Sequence, residues 1–338
     1  MKILLTGASG YLGSLLVDSW LNNPEVEKII TIDLKDPQFI FTKDHPKIHF
    51  IQGNLADLNL DEILEDFFPI DVVAHAAYLI RTPFFKKDLN YQERSNFLGA
   101  ENVFKFTFRN QIPTLIHFSS VAIYGARPEN QLDEPFQESS PLREDQIAYG
   151  RDKKNIETKL EEIFKKYHPE TNVFILRIGS VSGPFGKNIL HKKGLQSFFR
   201  GLLPFIPVVG SSSARQFVHE DDIVAAINFC IQKKSEIEEK FSVLNLAPSG
   251  HLTFREIAKL LGKIPLRIPK FLTSVFFSLV WYLTLGKIPT PPYVINSYAY
   301  PIVVDGSKIT RFGFEYYYSG FDAFLALKGK YQNYTNNL

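Results

Sequence analysis

Short, almost unbroken apolar runs alternate with segments of helical spacing through the first half of the chain, and this alternation predicts a parallel β-sheet. The runs are Ile3–Thr6, Ile29–Asp33, Ile48–Gln52, Val72–Ala76, Thr114–Ser119 and Val173–Ile178. Strands without a polar face must be covered on both sides. Between them, Ser14–Leu21, Leu60–Phe68, Asn96–Arg109 and Tyr149–Tyr167 repeat apolar positions at helical spacing, and each is long enough for a right-handed crossover. After Gly183 the pattern loosens into Pro- and Gly-rich stretches. It recovers in Asp221–Ile231 and Ser242–Leu246, then turns aromatic and proline-rich. The predicted fold is α/β, a doubly wound parallel Rossmann sheet with a smaller, discontinuous C-terminal substrate-binding region. Residues 1–180 with about 214–248 form the first part. About 181–213 with 249–338 form the second, capping the carboxyl edge of the sheet, where open α/β folds bind ligands.

Composition narrows the partners. The 338 residues are 45 % hydrophobic with a formal net charge of +2, and their charges are scattered rather than blocked. No nucleic-acid partner is indicated. Cys230 is the only cysteine, which excludes an internal disulfide and a cysteine-built zinc site. His75 and His219 lack partners at ligand spacing, so no metal is expected. The chain enters its first strand directly from Met1, without a targeting segment, and a cytoplasmic protein is expected.

The first candidate chemistry lies immediately after the first strand. Gly7-Ala8-Ser9-Gly10-Tyr11-Leu12-Gly13 fits a strand turning sharply into a helix. Gly7 permits the turn, Gly10 lets backbone approach a phosphate, and Gly13 lets the helix pack on its strand, while free N–H groups face the anion. The second strand ends in Asp33 about twenty residues later, where an acid that bonds a ribose belongs. A carboxylate there repels a 2′-phosphate, so NAD is expected over NADP, and nearby Lys35 moderates that preference.

Tyr149 and Lys153 stand four residues apart on a predicted helix and share one face. An ammonium near a phenol lowers its pKa and fits it for proton transfer. The strand before this helix ends in Ser119-Ser120, which brings a hydroxyl to the same edge without distinguishing the two serines.

These features together resemble the extended short-chain dehydrogenase/reductase family, its NAD-dependent epimerase/dehydratase group, over nearly the whole chain. The resemblance rests on Thr6 to Gly13, Asp33, His75-Ala76-Ala77, Asn96 with Gly99 and Asn102, Ser119-Ser120 before Tyr124-Gly125, and Tyr149 with Lys153. It continues through Leu176-Arg177, Gly183-Pro184 and Arg215-Gln216-Phe217-Val218-His219 with Asp222. It implies that Tyr149 is the catalytic acid/base, that Lys153 tunes it and bonds the nicotinamide ribose, and that Ser120 bonds the reacting oxygen. It also implies cofactor contacts from the Gly7–Gly13 turn (Gly7, Gly10, Tyr11, Leu12, Gly13), Asp33 and Asn96. Asn54 and Leu55 would lie at the adenine, with Asn54 in place of the usual acid, and Ala76 and Ala77 along the cofactor.

Departures from the family narrow the chemistry. Val121 and Ala122 occupy the positions where dehydratases carry an acid, which disfavours loss of water. Ile178-Gly179-Ser180-Val181-Ser182 replaces an expected asparagine, leaving Ser180 and Asn188 as substrate-contact candidates. Arg215 stands where the family binds a diphosphate, with pairing to Glu220 or Asp221 as the alternative. Phe271–Leu285 is apolar all round and about fifteen residues long, below the roughly twenty needed to cross a bilayer. A buried lid or dimer helix, an interfacial membrane contact and a hydrophobic substrate tunnel are its three readings, of which the first is expected. The leading function is a nucleotide-sugar 4-epimerase that moves a hydride between NAD and a carbinol carbon, acting on a small molecule as a homodimer. The alternatives are a reductase or dehydrogenase of a hydrophobic alcohol or ketone and a non-catalytic NAD sensor.

Overall fold

In a computed structural model, residues 1–37, 40–80, 84–186, 199–201, 203–210, 213–234, 236–237, 239–288, 290–332 and 334 are described. Seven parallel strands form the central sheet: β1 (Lys2–Thr6), β2 (Lys28–Asp33), β3 (Ile48–Gln52), β4 (Val72–His75), β5 (Thr114–Ser120), β6 (Asn172–Ile178) and β7 (Phe241–Leu246). Their spatial order is β7-β6-β5-β4-β1-β2-β3. The order reverses direction between β1 and β4, so a crevice opens there at the carboxyl ends. Register brings those ends level: Thr6 pairs with Ile32 and with His75, and His75 pairs with His117.

Helices cover both faces, as apolar strands require. On one side α1 (Tyr11–Leu21) packs with the helix Glu220–Gln232, burying Leu15, Trp20 and Ile227. On the other, α2 (Lys86–Arg109) packs along α3 (Ala148–Tyr167), burying Val103, Phe104 and Leu160. The helix predicted from Asn96 thus begins ten residues earlier, at Lys86. Its first turns are too polar for the periodicity to show, and Glu93 is held from α3 by Arg151. The segment predicted helical over Leu60–Phe68 breaks at Leu64 (φ −112°) and tightens into a 3₁₀ turn, Glu65–Phe67.

A smaller core lies beyond the sheet, built from Phe199, Ile206, Phe217, Phe254 and Phe324. The chain then returns to the main core through Ile309, Phe314 and Tyr331, and the Tyr331 hydroxyl donates to the Leu15 carbonyl at 3.2 Å. The apolar segment near residue 280 forms α4 (Lys270–Leu283). Expected as a buried lid or dimer helix, it is not buried as a lid within this chain, where it buries only Thr273, Phe277 and Trp281. Phe271 is 74 % and Leu283 82 % exposed. The physical reason is that α4 lies against the turn and helix at 292–299, which cover one stripe of it, and no described element covers the opposite side.

Candidate active site

The turn after β1 is fixed by two glycines. At Gly7 φ is +77°, and a Cβ there would stand 2.6 Å from the Ala77 backbone. A Cβ on Gly13 would meet the Gly7 carbonyl oxygen at 2.1 Å, so only glycine lets α1 sit this close to its strand. Gly10 caps α1 with extended backbone and donates its N–H to the Gly7 carbonyl at 3.1 Å. Gly7, Gly10 and Tyr11 border a cavity of about 440 Å³; Leu12 and Gly13 stand behind its wall. The Tyr11 hydroxyl bonds buried Glu220, whose carboxylate also accepts the N–H groups of Phe185 (2.9 Å) and Gly186 (2.8 Å). Sequence reading offered Glu220 only as a possible partner of Arg215; its position beside the His219 cap gave no sign of this role.

At the far end of the cavity, the Asp33 carboxylate accepts the Ser9 N–H at 2.9 Å and the Lys35 N–H at 3.2 Å. Burial raises its pKa, and these backbone donors oppose the rise. Asn54, Leu55, Ala76, Ala77 and Asn96 also line the cavity. Asn54 uses its side-chain oxygen on the Ala56 N–H at 3.1 Å. Asn96 clasps the Leu79 backbone with both ends of its amide (2.7 and 3.2 Å), so it shapes the loop after β4. The tight glycine turn, the acid at the end of β2 and the cavity across the switch point fit a dinucleotide with its pyrophosphate at the N-terminus of α1.

Three residues from two elements meet beyond this cavity. Tyr149 and Lys153 lie in the first turns of α3, and Ser120 ends β5. Ser120 lies beside Tyr149, and its hydroxyl oxygen accepts the Ala122 N–H at 3.2 Å. Ser119 turns the other way, onto Glu157 in the buried pair that Glu157 makes with Arg177 at 2.8 Å. The adjacent serines are therefore distinguished by the pleat of the strand. Burial raises the Tyr149 pKa and Ser120 opposes the rise. The Lys153 ammonium, expected to do the lowering, donates instead to the Phe118 carbonyl at 2.6 Å and lies 4.2 Å above the Tyr78 ring. Burial brings its pKa down to about 7, against the opposing charges of Glu157 and Asp152.

Sequence reading missed Tyr78 and Asp152. Tyr78 lines the cavity, meets the Tyr149 ring edge-on at 5.4 Å and donates its hydroxyl to Asp152 at 3.2 Å. Burial first, then the Glu93 charge, raises the Asp152 pKa to about 6. Both residues are adjacent to motifs that were legible, Tyr78 after His75-Ala76-Ala77 and Asp152 before Lys153.

The substrate-side candidates are more dispersed. Arg215 makes no ion pair with Glu220 or Asp221; its guanidinium donates to the carbonyls of Ala214 (2.8 Å) and Ser297 and lies 5.3 Å over the Phe254 ring. Burial lowers its pKa to about 10. It borders a separate cavity of about 140 Å³. Ser180 opens a short strand, Ser180–Ser182, that pairs with Phe217–His219, and its N–H donates to the Gln216 carbonyl at 3.1 Å. Asn188 lies outside the described residues. His75 is bonded to Thr6 at 2.7 Å, and His219 caps a helix through the Asp221 N–H at 3.1 Å. Among the described residues no group of three or more His, Cys, Asp or Glu side chains converges as a metal site.

The chain is similar in fold to MoeE5 in complex with UDP-glucose and NAD, with a TM-score of 0.71 and 18 % identity, covering 100 % of this chain and 99 % of that one. It is likewise similar to the Thermus thermophilus UDP-glucose 4-epimerase in complex with NAD, with a TM-score of 0.70, 20 % identity and 99 % of both chains covered. Among curated proteins, the ADP-L-glycero-D-manno-heptose-6-epimerase of Brachyspira hyodysenteriae is 26 % identical over 278 residues, 78 % of this chain and 80 % of that protein. The model of the NAD dependent epimerase/dehydratase family matches residues 3–247, a span that contains the glycine turn, Asp33, Ser120, Tyr149, Lys153 and Arg215. The chain belongs to the NAD dependent epimerase/dehydratase family, enzymes of the extended short-chain dehydrogenase/reductase type.

Proposed function

We propose that this protein is an NAD-dependent nucleotide-sugar 4-epimerase. The observation that carries the reading is the placement of Ser120, at the end of β5, beside Tyr149 in the first turn of α3, where it opposes the rise that burial imposes on the phenol's pKa, followed by Val121 and Ala122 rather than carboxylates. Solved structures of similar fold, one with UDP-glucose and NAD and one a UDP-glucose 4-epimerase, support the substrate class.

Bound NAD supplies the acceptor and later the donor of a hydride. In this reading the Gly7–Gly13 turn receives its pyrophosphate and Asp33 its adenosine ribose, with Asn54, Leu55, Ala76 and Ala77 along its length. Ser120 and Tyr149 hold the substrate C4 hydroxyl between them. As hydride leaves C4, the hydroxyl proton passes to the Tyr149 oxygen, and Ser120 donates to the oxygen that is becoming a carbonyl. Tyr149 would give the proton back to the same oxygen when hydride is returned to the opposite face of C4, which would yield the epimer. Lys153 is held by Phe118 one helical turn from Tyr149, where it would bond the nicotinamide ribose of the bound cofactor. Arg215 offers a planar fork for a diphosphate.

The test is incubation with NAD and UDP-glucose deuterated at C4, followed by NMR. The reading expects UDP-galactose that keeps deuterium at C4. A product lacking water or carbon dioxide, or no interconversion of UDP-, dTDP- or GDP-hexoses, overturns it. A second reading, reduction of a hydrophobic ketone, is favoured by the aromatic cluster of Phe84, Trp281 and Tyr282.

A further inference from the structure

The outer face of α4 has no part in the proposed chemistry. Phe271, Leu272, Phe276, Leu279, Tyr282 and Leu283 are each more than half exposed. They lie opposite the stripe of Thr273, Phe277 and Trp281 that holds the helix to the protein. Contiguous apolar surface of this kind marks a contact with something else.

Charge indicates which contact. From Ile257 to Val304 the sequence has no Asp or Glu, whereas Lys259, Lys263, Arg267, Lys270 and Lys287 fall within it. Arg267 and Lys287 are exposed, one before the helix and one after it. At the neighbouring start of α2, exposed Phe85 adds an apolar side chain and Lys86 and Lys87 two more cations, with Asp88 following. A symmetric dimer would set this surface against itself and bring cations to cations, with no carboxylate in the segment to answer them. An anionic lipid surface answers both features: acyl chains receive the apolar face, and headgroups neutralise the flanking lysines and arginines. No helix among the described residues is long and apolar enough to cross a membrane, so the contact is one of lying on the surface.

We propose that α4 docks this protein onto the interface of an anionic lipid bilayer, apolar side inward. Phe84, which follows cavity-lining Leu79 in sequence, packs on Trp281 at 5.4 Å and Tyr282 at 6.1 Å. The proposal is independent of which carbinol the site oxidises.

The test is flotation of the full chain with vesicles of phosphatidylcholine containing one-third phosphatidylglycerol, compared with phosphatidylcholine alone. The expected result is binding to the mixed vesicles that weakens at 0.5 M salt and is several-fold lower on phosphatidylcholine alone. Leu279→Glu should reduce binding at least tenfold while leaving NAD affinity and melting temperature at wild-type values. Should Leu279→Glu lower the melting temperature, Arg267→Glu with Lys287→Glu, both outside the packed stripe, carries the test and should reduce binding to the mixed vesicles alone. Absence of wild-type binding, or equal binding by all variants, overturns the proposal. So does a vesicle-free dimer that Leu279→Glu dissociates, which would assign the face to a second copy.

Discussion

The cleft proposed for the cofactor and the side proposed for the substrate are built in opposite ways. Around the glycine turn and Asp33, the polar groups of the cleft find partners nearby: Asp33 on Ser9 and Lys35, Asn54 on Ala56, Asn96 on Leu79. The walls are backbone, and glycines set their separation to tenths of an ångström. Across the crevice, Arg215 reaches 82 positions along the chain for a carbonyl, the short strand Phe205–Val208 pairs with Ile264–Arg267, and α4 leaves most of its apolar surface in the open. A dinucleotide has the same shape in every enzyme that uses it, so its site can be a rigid local motif. A substrate site differs from enzyme to enzyme and is assembled from distant segments whose positions a few side chains hold.

The sharpest way to break this contrast is Gly13→Val. With a Cβ only 2.1 Å from the Gly7 carbonyl, α1 must move off β1. NAD affinity should fall at least a hundredfold, with a stability loss toward the upper end of the roughly 1–3 kcal/mol typical of overpacking. Gly250→Ala, at a position where no atom lies within 4 Å of the added methyl, should leave NAD binding alone and cost about 1 kcal/mol for its positive φ. Isothermal titration and thermal melting of the two variants check this, and equal losses would show the cleft to be no more rigid than the rest.

Next in size is Tyr149→Phe. Loss of a positioned acid/base typically lowers the rate about 10²–10⁴-fold, so hydride transfer should drop at least a hundredfold while NAD affinity stays within about threefold. Stopped-flow absorbance of the reduced nicotinamide measures the first and fluorescence titration the second. A fall of less than tenfold would remove Tyr149 from the chemistry.

Arg215→Ala sharpens the other side. A charge-assisted hydrogen bond contributes roughly 1.5–3 kcal/mol, so UDP-sugar affinity should weaken about tenfold or more with NAD affinity unchanged. Calorimetric titration with UDP decides it. An unchanged UDP affinity would leave Arg215 as a clamp for Ser297 alone.

The smallest effect is pH-dependent. Burial holds native Lys153 near pKa 7, whereas the unfolded side chain titrates at its ordinary value of 10.5. Between these values the unfolded state binds more protons, so stability from this group rises with pH. Its destabilising effect is complete below about pH 7 and gone above 10.5. Lys153→Met removes that dependence. The melting temperature of the variant relative to wild type should therefore be higher at pH 6.5 than at pH 9, and a gap independent of pH would contradict the burial of a charge at this site.

Much of the fold was legible because its strands are apolar on both faces and its helices lie between them. β1 to β6 were read to within one residue at either end, and the glycine turn, Asp33, Tyr149 and Lys153 were read as motifs at fixed spacing. Short-range geometry suffices for these: a turn that admits no Cβ, or two side chains one helical turn apart. The polar start of α2 was not legible, since its stability comes from Arg151 on α3 rather than from its own periodicity.

The amino-acid sequence by itself determined the doubly wound sheet, the dinucleotide turn and the spacing of the tyrosine and lysine, since each depends on neighbours within a few residues or on a repeat along one element. Tertiary structure alone decided which serine faces Tyr149, because the pleat of β5 sends Ser119 to Glu157 and Ser120 to the cleft. It decided that Tyr78 and Asp152 join the site, that Glu220 clasps Tyr11 and the turn at Phe185, and that Arg215 rests on carbonyls rather than carboxylates. It also decided which side of α4 is covered. These outcomes depend on contacts between residues tens to hundreds of positions apart, where burial and the need to satisfy each polar group select the partner, and no pattern along the chain records that selection.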